Sequence, residues 1–227
     1  MKLSVIVPVY NEIRTIGELL RRVRESPTPG DKEIVVVDDC STDGTREWLA
    51  ANPCPGTIVH FREKNGGKGA AVRDGISRAN GDVLLVQDAD LEYDPAEYPR
   101  LLQPILSGKV DVVYGTRFKG ETRVLFFWHY LGNRFLSLVA NLLYNTTLSD
   151  IETCYKVFRA DCVRGMRLKC DRFGFDPEIT AKFLRNRWKI AEVPITYYGR
   201  DYSEGKKIRW RDGFVVLGAL IRFRFLD

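Results

Sequence analysis

Histidine is nearly absent from this 227-residue chain: His60 and His129 are the only two, and they lie far apart. The five cysteines (Cys40, Cys54, Cys154, Cys162, Cys170) form no C-x-x-C pair, and their number is odd. A zinc site needs such residues at short spacings and is therefore excluded. Reduced, mostly buried thiols in a cytosolic compartment are expected rather than a disulfide framework. No clean apolar run reaches the roughly 20 residues needed to cross a bilayer. The first apolar stretch, M-K-L-S-V-I-V-P, is too short for a secretory leader, and an acid follows at Glu12. A strong charge of one sign is also missing. With 35 Lys+Arg against 30 Asp+Glu, the surplus of +5 assigns no nucleic acid partner, and none is expected.

What is present suffices for a full core. Hydrophobic residues make up 44% of the chain, which fits one large domain or two intimately joined halves. The expectation is one domain over 1–227, made of two joined halves at 1–115 and 116–227.

Leu3 to Val9 and E-I-V-V-V-D-D at 33–39 are apolar without alternation, as strands covered on both faces are. Between them, Ile16, Leu19, Leu20 and Val23 recur at helical spacing, and Thr28-Pro29-Gly30 breaks the helix. The alternation continues. A helix over Thr45 to Ala51 precedes a strand over Thr57 to Phe61, and a helix over Gly69 to Asn80 precedes one over Val83 to Gln87. A helix over Pro95 to Ser107 then leads to a strand over Asp111 to Tyr114. Such a chain predicts an α/β fold with a mainly parallel sheet flanked by helices.

Ligands of such sheets bind beyond the carboxyl ends of the strands. Polar clusters stand at four of those ends: Tyr10-Asn11-Glu12, Asp38-Asp39, Asp88 to Asp94, and Arg117. Asp88 and Asp90 are two residues apart, so extended backbone sends both side chains to one face. Adjacent carboxylates repel and call for a cation. Magnesium-like ions use one or two carboxylates together with substrate phosphates. Asp39 is a candidate acceptor for a ribose or base N–H, and Asp43 a helix cap. N-G-G-K-G at 65–69 is neither a dinucleotide fingerprint nor a P-loop: Val72 stands where the third glycine belongs, and G-K-[ST] is missing. It is expected to be a tight loop that brings Lys68 near phosphate.

P-V-Y-N-E at 8–12, V-V-D-D-x-S-x-D-G at 36–44, N-x-G-K-G at 65–69 and D-A-D-L at 88–91 together resemble a family-2 glycosyltransferase of the GT-A fold. G-T-R-F at 115–118, E-T-C-Y-K-V-F-R at 152–159 and V-P-I-T-Y-Y-G-R-D-Y-S-E-G-K-K at 193–207 make the resemblance closer to dolichol-phosphate mannosyltransferases and other polyprenyl-phosphate glycosyltransferases. The resemblance implies an inverting, metal-dependent transfer of a hexose to a polyprenyl or dolichyl phosphate. The donor would be GDP-mannose or UDP-glucose. It implies that Pro8, Tyr10, Glu12, Val37 and Asp39 contact the nucleotide, and that Asp88, Ala89 and Asp90 meet Mg2+ or Mn2+ and the diphosphate. Glu92, where relatives often carry Gln, would make the metal site more acidic. Arg117, Arg200 and Lys206 would hold phosphates of donor or acceptor, and with Asp90 they form the candidate catalytic set.

One chemical argument points to the same acceptor. No general base stands out, because both histidines lie outside the motifs. A lipid phosphate is already an anion at pH 7 and needs cations to position it rather than a base. A family-2 enzyme with a saccharide hydroxyl acceptor is the alternative. A nucleotidyltransferase would open with a glycine-rich basic loop instead of P-V-Y-N-E, and a receiver-type signalling module would carry its acidic pair after the first strand.

Val124 to Tyr144 is apolar, yet His129, Asn133, Ser137, Asn141 and Asn145 recur every fourth residue with Arg134 beside them. This pattern predicts an amphipathic helix. Phe126, Phe127, Trp128 and Leu131 either dip into a membrane interface or pack on the core. Phe214 to Ile221 is uninterrupted but short, and Arg222 and Arg224 follow. Attachment to the cytoplasmic face of a membrane is expected, either by these segments or through an anchoring subunit.

Overall fold

Leu3, Val5, Ile6, Val7 and Val9 are at most 1% exposed, so β1 (Lys2–Val9) is covered on both faces, as its unbroken apolar run requires. The computed structural model describes residues 1–123, 126–200 and 212–226. From β1 the chain alternates through α1 (Ile16–Glu25), β2 (Asp31–Asp38), α2 (Thr45–Ala51), β3 (Thr57–Phe61), α3 (Lys68–Arg78) and β4 (Val83–Val86). A 3₁₀ turn over Pro95–Glu97 then leads into α4 (Tyr98–Leu106) and β5 (Val112–Thr116). These elements follow the sequence pattern closely.

The second half adds α5 (Phe127–Tyr144), β6 (Lys156–Arg159), α6 (Phe175–Arg185), β7 (Ile190–Pro194) and α7 (Asp212–Phe225). Seven strands form one sheet in the order β3-β2-β1-β4-β6-β5-β7. All pairings are parallel except those of β6, which runs antiparallel between β4 and β5. The strand order reverses at β1, with β2 on one side and β4 on the other. That switch point is where an open α/β sheet leaves a crevice for a ligand.

Close helix packing fixes the walls of this crevice. Gly75 of α3 lies so near β1 that a Cβ there would stand 2.4 Å from Ile6 Cγ2. Helix α6 is enclosed on every side, and it buries Asp176, Glu178, Thr180 and Lys182 along with its apolar residues. The internal pair Lys182 Nζ–Glu178 Oε1 at 3.0 Å offsets part of that cost.

Helix α5 is inverted relative to a soluble amphipathic helix. Its polar stripe faces the protein: the Ser137 hydroxyl accepts from the Ile151 N–H, and the Asn141 amide bonds both backbone groups of Leu148. Phe126, Phe127, Trp128, Leu131, Phe135, Leu138 and Leu142 are exposed, with Trp128 at 77% and Leu142 at 75%. The choice left open by the sequence is therefore decided: the aromatic face does not pack on the core. Helix α7 lies alongside, with Tyr144 Oη donating to the Leu220 carbonyl at 2.7 Å and Arg224 Nε to that of Leu143 at 2.8 Å.

Gly75→Val should lower stability by about 1–3 kcal/mol, because α3 must lift from β1 to admit the side chain. A thermal melt checks this: an unchanged midpoint would show that the helix is not held this close.

Candidate active site

A hollow of about 340 Å³ opens at the carboxyl ends of β1, β2 and β4. Pro8, Tyr10 and Glu12 line it from the end of β1, Asp39 from β2, and Asp88, Ala89, Asp90 and Glu92 from β4. Lys68 enters from the start of α3, Arg117 from the end of β5, and Arg200 from beyond β7. Eleven of the residues expected from the sequence thus meet in one place. One described residue does not join them. Val37 is fully buried, and its side chain packs with Val35 and Ala71 in a small cluster behind the wall. Strand alternation turns its side chain away from the hollow, which it does not line. Lys206 lies outside the described residues.

The acids that follow β4 have separate partners. Lys68 Nζ sits 2.9 Å from Asp88 Oδ1 and 3.0 Å from Oδ2, and the Asp88 N–H points to Cys154 Sγ at 3.1 Å. Arg200 reaches Asp90 Oδ2 at 3.1 Å, Glu12 Oε2 at 3.2 Å and Glu92 Oε1 at 3.4 Å, so one guanidinium serves three carboxylates. Glu92 also accepts from Tyr197 Oη at 2.8 Å. Asp94, the last acid of the run, accepts from the Ala96 N–H at 3.0 Å and starts the 3₁₀ turn. Burial, with the charges of Asp88 and Glu92, pushes the Asp90 carboxyl up to about 7 against the pull of Arg200.

Asp39 shapes the glycine loop. It accepts from the Gly66 N–H at 2.9 Å and the Gly67 N–H at 2.6 Å, and it pairs with Arg62. Gly67 has φ +91°, a conformation that side chains disfavour, and a Cβ there would meet the Asp171 carbonyl oxygen at 2.8 Å. The loop therefore delivers Lys68 to the hollow through glycine geometry rather than through a phosphate-cradling motif.

Across the hollow, Arg117 is held by buried Asp150, with Nε and Nη2 each 2.7 Å from a carboxylate oxygen. Nη1 has no hydrogen-bond partner among the described residues. Arg117 also lies over the rings of Tyr197 and Phe118, which at 5.3 Å from Tyr130 borders a recess of about 290 Å³ with Thr122 and Phe127. Two further acids on the wall were not foreseen. Asp176 starts α6, pairs with buried Lys156 at 2.5 Å and stands 3.9 Å from Lys68 Nζ. Glu152 comes from the loop before β6. E-T-C-Y-K and F-D-P-E were visible, but nothing local showed that β6 and α6 return to the crevice.

The donor set fits a divalent metal. Asp88 and Asp90 offer hard oxygens on one wall, and a divalent ion there would stabilise the charged form of Asp90 that burial and the neighbouring acids disfavour. Among the described residues no three His, Cys, Asp or Glu side chains converge on one point. The protein's share would therefore be one or two carboxylates, with Glu92 engaged by Tyr197 and Arg200.

The family model described as glycosyl transferase family 2 matches residues 4–171. The chain is 32% identical over 220 residues to an undecaprenyl-phosphate mannosyltransferase of Micrococcus luteus, covering 91% of this chain and 87% of that one. It is also 32% identical to a dolichol-phosphate mannosyltransferase of Pyrococcus furiosus, spanning 59% of that protein's length. A crystal structure of glucosyl-3-phosphoglycerate synthase from Mycobacterium tuberculosis, with Mn2+, UDP and glucosyl-3-phosphoglycerate, superposes with a TM-score of 0.76 at 19% identity, covering 100% of this chain and 81% of that one. The fold is GT-A.

Asp90 gives a pH test. Its folded value of about 7 exceeds the ordinary 3.8, so between these limits the folded state holds a proton that the unfolded state has lost. Stability should fall as pH rises through that window. Asp90→Asn removes the effect: the metal-free variant should melt above wild type at pH 8, and the gap should close toward pH 4. A constant gap across the range would contradict the assignment.

Proposed function

The chain belongs to glycosyl transferase family 2, and we propose that it moves a hexose, mannose or glucose, from a nucleoside-diphosphate donor to a polyprenyl phosphate, inverting the anomeric carbon. One observation carries the reading: a single hollow joins the Asp88–Asp90 carboxylates to Arg117 and Arg200, and Arg117 stacks on Phe118 at the edge of an apolar recess. Residues 1–115 would serve the donor and 116–227 the acceptor within one catalytic unit.

Asp88 and Asp90 would hold Mg2+ or Mn2+, which supplies positive charge to the leaving diphosphate. The chain's own residues would do the rest. Lys68, beside Asp88, would neutralise donor phosphate. Arg117 Nη1 and Arg200 would bring the acceptor phosphate to the anomeric carbon, with Lys206 as a third cation. Pro8, Tyr10, Glu12 and Asp39 would line the nucleotide side. A phosphate oxygen already carries the attacking electron pair, so positioning and charge neutralisation supply most of the rate.

A second reading is supported by Asp176. The sequence argument rested on the lack of a base, yet the hollow holds the carboxylate of Asp176. A carboxylate on this wall is placed to take a proton from a saccharide hydroxyl. The lipid phosphate remains the better reading because the arginine side borders an apolar recess.

Attachment would be peripheral, on the cytoplasmic leaflet. Among the described residues no helix is long and apolar enough to cross a membrane. The outward face of α5 and, on α7, Phe214, Val215, Ile221 and Phe225 present apolar surface, with exposed Arg222 and Arg224 beside it. That composition suits an anionic interface.

Incubation with Mn2+ or Mg2+, a panel of nucleotide sugars and a polyprenyl phosphate should yield a glycolipid, and chelation should abolish it. Asp88→Asn should lower the rate by about 100-fold or more, equivalent to ~3 kcal/mol of transition-state stabilisation. Transfer to a saccharide hydroxyl with none to the lipid would establish the second reading. In flotation assays with anionic vesicles, the double change Phe127→Ser and Trp128→Ser should release most of the bound protein. If wild type does not float at all, an anchoring subunit is required.

A further inference from the structure

The loop between α5 and β6 delivers one acid that the proposed chemistry leaves unused. Glu152 lies two residues beyond Asp150, the partner of Arg117, and stands on the wall of the hollow. Its side chain is only partly exposed, and Oε1 is shut off from water with no hydrogen-bond partner among the described residues. The neighbouring acids are satisfied differently: Asp88 by Lys68, Asp90 by Arg200, and Asp176 by Lys156. A shielded carboxyl oxygen left unpaired is costly, and its presence calls for a ligand that completes it.

The chemistry of Glu152 and its place in the hollow point to that ligand. Asp88, Lys68 and Asp176 follow one another along the wall, since Lys68 Nζ is 2.9 Å from Asp88 and 3.9 Å from Asp176. Burial and the nearby charge of Asp176 push the Glu152 carboxyl up to about 8, against the pull of Lys156 and Arg117. Near neutral pH it thus keeps a proton, and a neutral carboxyl offers one donor and an acceptor side by side. That matches a sugar hydroxyl, which needs both.

We infer that Glu152 is a specificity-determining residue that hydrogen-bonds a ring hydroxyl of the donor hexose, within the hollow whose other acids, Asp88 and Asp90, would hold the diphosphate. The inference rests on the nucleotide-sugar reading above. The base and diphosphate bind elsewhere, so Glu152 contributes to the affinity for the sugar nucleotide and not to that for the bare nucleotide. A site built around such a bond also rejects a donor that lacks the hydroxyl.

Calorimetry on the full chain with Mn2+ tests this, using GDP against GDP-mannose and UDP against UDP-glucose. Glu152→Ala should weaken the sugar nucleotide by about tenfold or more while leaving the bare nucleotide within about twofold. Glu152→Gln, which keeps a donor and an acceptor in place, should recover most of the loss. A monodeoxy donor that wild type rejects should bind the alanine variant as well as its parent does. If alanine does not fold, Glu152→Asp, which shortens the reach, should show the same selective loss. Equal loss of bare and sugar nucleotides, or no loss of either, would overturn the role of Glu152. Failure of wild type to bind any sugar nucleotide would overturn the underlying reading as well.

Discussion

Charge compensation at the tips of β1 and β4 is the constraint on which the rest depends. Glu12 follows β1 while Asp90 and Glu92 follow β4, and one guanidinium, Arg200, bridges all three from 108 to 188 positions away in sequence. Lys68 does the same for Asp88 and Asp176. Clustered carboxylates with so little access to water persist only where cations offset them. These two cations also tie the halves of the chain together, since Arg200 and Asp176 belong to the second half and their partners to the first. At Asp90 burial and two neighbouring acids outweigh Arg200 and favour the protonated carboxyl, and a divalent ion would restore the charged form.

Much of this was legible in the sequence, for a physical reason. Strands covered on both faces are written as unbroken apolar runs, so β1, β2 and β4 announce their ends, and whatever polar residues follow must stand at the rim. Asp39, Asp88, Asp90 and Arg117 were found this way. Val37 does not line the hollow, and a motif match carries no information on which face of β2 its side chain takes. The elements β6, α6 and β7 were not foreseen. Helix α6 buries Asp176, Glu178 and Lys182, so its pattern reads as exposed, and β6 is a four-residue strand that carries a buried Lys156. Asp176 and Glu152 were hidden for the same reason: only the return of the chain to the crevice gives them meaning.

Helix α5 shows how a periodic pattern can be right about shape and silent about direction. The polar stripe at every fourth residue does mark one face, yet that face turns inward, where Ser137 and Asn141 satisfy backbone groups of the following loop. The aromatic face is left outside. Local hydrogen-bond demand, rather than helix hydrophobicity, sets the orientation, and the apolar surface it exposes adjoins the recess at Phe118 and Tyr130. The acceptor side of the hollow is thereby linked to a surface suited to lipid.

The central claim is that Asp88 and Asp90 hold a divalent ion jointly with a nucleoside diphosphate. Titration of Mn2+ followed by the electron paramagnetic resonance of the free ion tests it most directly, on wild type and on the Asp88→Asn/Asp90→Asn double variant. Wild type should bind one Mn2+ tightly only when the nucleoside diphosphate is present, and the double variant should show no such gain. Equal nucleotide-dependent uptake of Mn2+ by both proteins would contradict the account.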